Sequence, residues 1–173
     1  MQDTRPRSEG LLWVDRLSAR AGQLATGCLG LTIALGLLNT TLRALGKQLG
    51  LNLAGNAGLE GQWYLFSLSF LLAAAPTLAR DAHVRVDVLS ARLGPRALAG
   101  IELGGTVLLM LPLCGFAAWS TGEMALRALS IWEGSPDPGG LPRWPIKLML
   151  PLSFCVLGAQ GVSSAVRAAR SLR

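Results

Sequence analysis

The sequence predicts an all-α integral membrane fold with four transmembrane helices, and three observations carry that prediction. Four long stretches hold no charged residue: 22 residues between Arg20 and Arg43, 19 between Glu60 and Arg80, 20 between Glu102 and Glu123, and 19 between Lys147 and Arg167. A helix needs about 20 mostly apolar residues to cross a hydrocarbon core about 30 Å thick, and Leu, Ala, Val, Phe and Ile dominate each stretch. The composition agrees. Of 173 residues, 51% are hydrophobic and 15% charged, below the roughly 25% charged of a soluble domain, and the mean hydropathy is +0.44. Lastly, the basic residues are unevenly shared between the two sides. With a cytoplasmic N-terminus, the inner segments carry eleven Lys and Arg (from Arg5 to Arg20, Arg80 to Arg96, and Arg167 to Arg173) and the outer loops five. The positive-inside rule therefore puts both termini in the cytoplasm.

Four spans use nearly half the chain, so residues 1–173 read as one membrane domain with no room for a separate soluble core. A formal charge of +6 could indicate nucleic-acid binding, but the cations are dispersed among the span ends instead of gathered on one face. They fit anchoring to membrane lipids, and no nucleic-acid partner is expected.

In chain order, the head (1–20) interleaves Leu11, Leu12, Trp13 and Leu17 with Asp15, Arg16 and Arg20, the pattern of a helix lying flat in the interface. The first span (about 21–38) lacks a clear small-x-small cleavage site and is expected to be retained. It carries small residues at every fourth position, Gly22, Thr26, Gly30 and Ala34, either a ridge for close helix approach or a neutral face toward lipid. The connection 39–61 is expected to hug the interface. The second span (about 62–79) opens with Trp63 and Tyr64, ring types that favour the headgroup level, and Pro76 is placed to kink its inner end. In the cytoplasmic connection, His83, Arg85 and Asp87 would share one side of an extended segment, either pairing with a partner or lipid headgroups or remaining solvated. The third span (about 98–121) and the fourth (about 146–166) contain Pro112 and Pro151, and residues 167–173 form a cytoplasmic tail. Between these spans, prolines at 136, 138, 142 and 145 with Gly139–Gly140 imply a defined set of turns.

Chemistry for catalysis is missing. No Walker loop, dinucleotide fingerprint, zinc-protease helix or nucleophile elbow is present, so neither an enzyme nor a cofactor or metal site is expected. The cysteines 28, 114 and 155 fall in three different apolar stretches, buried singly, without a C-x-x-C pair. Glu102 is the one acid near a span, about a turn inside, where snorkelling or an Arg partner is favoured over ion coupling. Glu133 and Asp137 face Arg143 and Lys147 across the proline-rich turn, beside Trp144. They form either a self-satisfied polar cap or an outward docking surface.

Three segments, His83-Val-Arg-Val-Asp-Val-Leu89, Glu133-Gly-Ser-Pro-Asp-Pro-Gly-Gly-Leu-Pro142 and Trp144-Pro-Ile-Lys147, together resemble the small membrane subunit of tripartite ATP-independent periplasmic (TRAP) transporters, most closely the mannitol/chloroaromatic branch. The resemblance covers nearly all of the chain after the head. It implies a multi-pass protein of the bacterial inner membrane with two partners, a large membrane subunit and a periplasmic substrate-binding protein. It further implies secondary-active uptake of an organic anion, with the substrate and sodium sites in the large subunit and no cofactor here. This chain would then be a scaffold that helps dock the binding protein through its outer loop, while Arg85 and Asp87 fix the inner connection. The competing reading is a self-sufficient homodimeric four-span exporter, which would need Glu102 as its coupling carboxylate.

Overall fold

The computed structural model describes residues 9–80 and 94–172. Helix α1 spans Glu9–Leu49, α2 Asn56–Ala79 and α3 Pro95–Gly105; a π-helical turn, Thr106–Met110, leads directly into α4, Leu111–Ser130, and α5 runs Trp144–Ser171. Among the described residues there is no strand. Four helical stretches are long and apolar enough to cross a membrane: Trp13–Leu49, Asn56–Ala79, Arg96–Ser130 and Trp144–Ser171. Each contains one of the four charge-free stretches.

Burial is inverted relative to a soluble bundle. Among the described residues the buried apolar side chains are Val14, Pro76, Cys114 and otherwise alanines, and the fully buried side chains of largest volume are Gln160, Ser18 and Ser163. Leu24, Ile33, Leu37, Phe70, Leu108, Leu109 and Phe116 are exposed. In water such a surface would drive association; lipid is the solvent it matches. Small and polar residues fill the interior because helices in lipid associate through close packing and hydrogen bonds, not through a hydrophobic drive. Hydroxyls on the outer faces are satisfied within their own helix: Thr26 Oγ1 donates to the Gly22 carbonyl (3.0 Å), and Thr40 and Thr41 likewise bond one turn back.

Helix α1 is one continuous element across residues 20 and 21, where the sequence places the end of a flat head, and it runs on to Leu49, well into the expected interfacial connection. No proline interrupts it, and its first turns are drawn onto the bundle instead of along the interface. The buried and half-buried positions explain how. Val14, Ser18, Ala21, Ala25, Cys28, Thr32, Leu35, Asn39, Leu42 and Gly46 alternate three and four residues apart, a heptad seam of the kind that keeps one face against a neighbour. The four-residue ridge behaves differently. Gly22 packs on Pro76, where an added Cβ would sit 3.3 Å from the ring, but Thr26, Gly30 and Ala34 are exposed. Each step of four residues advances about 40° around a 3.6-residue helix, so a strict four-residue stripe turns out of the interface within three steps.

Helix α2 returns antiparallel along this seam, with Gly22 opposite Pro76 and Gly36 opposite Gln62. Between them, α1 ends where Gly50 takes a positive φ of 69° and the Leu51 N–H donates to the Gly46 carbonyl (2.9 Å), a closure that leaves few orphan carbonyls. Pro76 lies inside α2, which continues to Ala79. In the third span the Leu111 N–H reaches the Thr106 carbonyl, a π turn placed directly before Pro112, whose ring nitrogen has no proton to donate. Helix α5 is the centre of the bundle and touches every other helix. Cys114 is buried and Cys28 half-buried, but Cys155 of α5 is exposed, so the expectation of three singly buried cysteines fails for Cys155.

Candidate functional site

Polar side chains gather at the two ends of the bundle. At one end, residues 131–143 join α4 to α5 and fold back on the N-terminus of α2. Helix α4 closes with the Glu133 N–H on the Ala128 carbonyl (2.9 Å), which forces Trp132 to a φ of 49°. A non-glycine residue there is strained by roughly 1–2 kcal/mol. Trp132 is held by packing edge-to-face on Trp144, with ring centroids 5.4 Å apart. The tip is a turn in which the Gly140 N–H donates to the Asp137 carbonyl (3.0 Å), with Pro138 second and Gly139 third at φ 71°, the residue signature of a type II turn.

Glu60, 3% exposed, anchors this loop from α2. One carboxylate oxygen accepts from Ser135 Oγ and the other from the Leu141 N–H. Three more contacts reinforce the clasp: Tyr64 Oη donates to the Pro142 carbonyl (2.8 Å), Asn56 Nδ2 to the Pro138 carbonyl (3.0 Å), and the Asp137 N–H to Ser135 Oγ (3.0 Å). Gly140 leaves room for the arrangement, since a Cβ there would collide with Ser135 and lie 2.6 Å from Glu60 Oε2. On the opposite side of the loop, Lys147 Nζ donates to Glu133 (2.6 Å) and the Arg143 N–H to the Glu133 carbonyl (2.8 Å).

At the other end, near the chain termini, α1 and α5 are joined through side chains alone. Ser18 Oγ donates to Gln160 Oε1 (2.7 Å), and Gln160 Nε2 donates to Asp15 Oδ1 (3.1 Å). The Arg167 guanidinium donates to Asp15 (3.1 Å), Ser163 (2.8 Å) and Ser164 (3.0 Å). Ser18, Gln160 and Ser163 are fully buried. Charge-assisted bonds of this kind are the stronger class, and every polar atom left unbonded inside the bundle would carry a desolvation cost.

The structure sorts the residues read from sequence. Glu133 and Lys147 pair with each other, so that part of the outer cluster is a self-satisfied cap. Asp137 lies exposed at the loop tip, Trp144 packs on Trp132, and Arg143 is half-buried with its Nε in contact with no acceptor among the described residues. Glu102 is half-buried on α3. His83, Arg85 and Asp87 lie outside the described residues. Three important contributors did not stand out in the sequence. Glu60 served only to end a charge-free stretch, Tyr64 read as an interfacial ring, and Gln160 sat in an apolar run; for Gln160 the signal was present, an amide followed at three and four residues by Ser163 and Ser164. Among the described residues no three His, Cys, Asp or Glu side chains cluster as a metal site would require.

A family model described as the DctQ component of tripartite ATP-independent periplasmic transporters matches residues 59–171. No curated protein and no solved structure matches the chain.

Proposed function

Because this chain belongs to the DctQ family, the small membrane component of tripartite ATP-independent periplasmic transporters, we propose that it is the stationary partner of the large transport subunit and part of the surface that receives the periplasmic binding protein. Family members are transporter components, not enzymes, and work with those two proteins in the bacterial inner membrane. The observation that carries the proposal is the loop 131–143, clasped to α2 through Glu60, Tyr64 and Asn56 while its tip, Pro136 to Gly139, stays exposed. A rigid exposed turn suits docking because little ordering cost remains to be met on binding.

In this reading both termini are cytoplasmic, in keeping with the eleven-to-five distribution of basic residues, and the proline-rich loop is periplasmic. The cargo is an organic anion, its substrate and sodium sites belong to the large subunit, and the loop sequence supports the mannitol/chloroaromatic branch. The exposed Thr26, Gly30 and Ala34 suit close packing on the large subunit, and Arg85 and Asp87 fix the inner connection. Elevator transport needs one part to stay still while another slides, and a bundle with anchored ends suits the still part.

Tagging the chain in its native membrane, extracting it gently and identifying what co-purifies is the direct test. A large polytopic protein in equal amount is expected. Recovery only as a self-associated oligomer that transports after reconstitution alone would overturn the proposal. For docking, Asp137→Lys is the discriminating variant, since Glu133 is committed to Lys147. Uptake should fall while the assembled membrane complex is recovered in full; unchanged uptake would remove the tip from the docking surface.

A further inference from the structure

A groove of about 330 Å³ lies between α2, α4 and α5, just below the proline-rich loop. Its walls are mostly apolar, with Trp63 and Leu71 from α2 and Ile146 and Leu150 from α5, and its upper rim carries Arg143 and Lys147. The two cations are not equivalent. Lys147 is neutralised by Glu133 at 2.5 Å, whereas Arg143 has a buried Nε with no acceptor and makes no ion pair among the described residues. Glu60 acts on Arg143 electrostatically, but its oxygens accept from Ser135 and the Leu141 N–H and no hydrogen bond joins it to Arg143 Nε. The enclosed Nε is closed to the groove, but Arg143 also lines it, and the fork of a guanidinium without an ion pair matches a phosphate well.

The geometry points to a bound membrane phospholipid with an anionic headgroup. Its phosphate sits on Arg143, and one acyl chain follows Trp63, Leu71 and Leu150 into the bilayer. Charge and polarity argue for this occupant together. Arg143 lies at the N-terminus of α5, where Trp63, Tyr64 and Trp144 mark the headgroup level. From there the groove runs along apolar side chains for about 10 Å, seven residues of α5 at about 1.5 Å each. An acidic side chain from another protein would satisfy Arg143 but leave that apolar length empty. The inference rests on the membrane placement of the chain and is independent of the docking role.

The test is native mass spectrometry of the full-length chain, purified, stripped of lipid and titrated with phosphatidylglycerol or with phosphatidylcholine of the same acyl chains. One phosphatidylglycerol per chain is expected, bound about tenfold more tightly than phosphatidylcholine, the scale of one charge-assisted contact. Arg143→Gln should erase that preference, and Leu71→Trp, which fills the groove without touching the charges, should weaken both lipids. The second variant keeps the test decisive if the first does not fold. Equal binding of the two lipids by the unaltered chain, an undiminished preference in Arg143→Gln, or full occupancy in Leu71→Trp would each overturn the proposal. Displacement of the lipid by inorganic phosphate alone would overturn it too, in favour of a simple anion pocket.

Discussion

At the end near the termini, side chain bonds to side chain between helices 142 to 152 residues apart in sequence, whereas at the loop end side chains reach largely for the backbone of the connection they hold. The first arrangement fixes the register of α1 against α5, because Asp15, Ser18, Gln160 and Arg167 meet only at one relative height. The second fixes the path of a loop and leaves its outward side chains unconstrained. Damage at the two ends should therefore spread differently, through the whole bundle in one case and through a dozen residues in the other.

The sharpest way to break this contrast is Arg167→Ala. It strips Asp15, Ser163 and Ser164 of their common donor and should lower global stability by about 2–3 kcal/mol, the scale of hydrogen bonds to charged groups. Thermal unfolding of the full chain in mild detergent would measure it, and a loss too small to resolve would mean that α5 is held without this network. Next in size is Glu60→Gln. Proteolysis within residues 134–140 should become several-fold faster, while the global melting transition moves much less than in Arg167→Ala. If instead the whole bundle melts early, the loop is part of the core and the contrast fails.

Gly140→Ala sharpens the point through backbone space alone. Its methyl would press on Ser135 and Glu60, costing about 1–2 kcal/mol if the clash is contained. Combined with Glu60→Gln, the effects on loop proteolysis should fall short of additive, since both release the same clasp. The smallest expected change is Ser18→Ala, about 0.6 kcal/mol, the average measured for single hydrogen bonds between membrane helices. A double-mutant cycle with Gln160→Ala isolates it, and a coupling energy of zero would remove Ser18 from the network.

Span count was legible in the sequence because the absence of charge over about 20 residues is a one-dimensional property. Turn chemistry was legible for a similar reason, as Pro138 and Gly139 prescribe their own backbone angles. The packing face of α1 was not. A small residue at every fourth position stands out to the eye, but the interface follows the heptad through Ser18, Ala25, Thr32 and Asn39, which mixes residue types and shows no single pattern. Glu60 did not stand out for another reason. A carboxylate at a span border is ordinarily a solvated end, and only the return of a loop 75 to 81 residues later buries it. Gln160 needed a partner more remote still, in Ser18, 142 residues away. Contacts of that range are set by how the helices assemble, and the chain in isolation does not encode them locally.

Helix α1 has 41 residues, about 60 Å at a rise of about 1.5 Å per residue, roughly twice the thickness of the hydrocarbon core. Even tilted by about 40°, the upper end of the usual range, it would span about 46 Å of depth, so both ends must emerge from the oily layer. Arg16 and Arg20 are exposed near one exit, and Arg43 and Lys47 near the other. Arg20 and Arg43 stand about 35 Å apart along the axis, a separation close to the layer itself. Sliding the helix by more than a turn in either direction would drag one pair of cations into hydrocarbon, at a cost of several kcal/mol. The chain thus carries its own depth gauge, and whatever moves beside it moves against a wall whose height above the membrane midplane does not change.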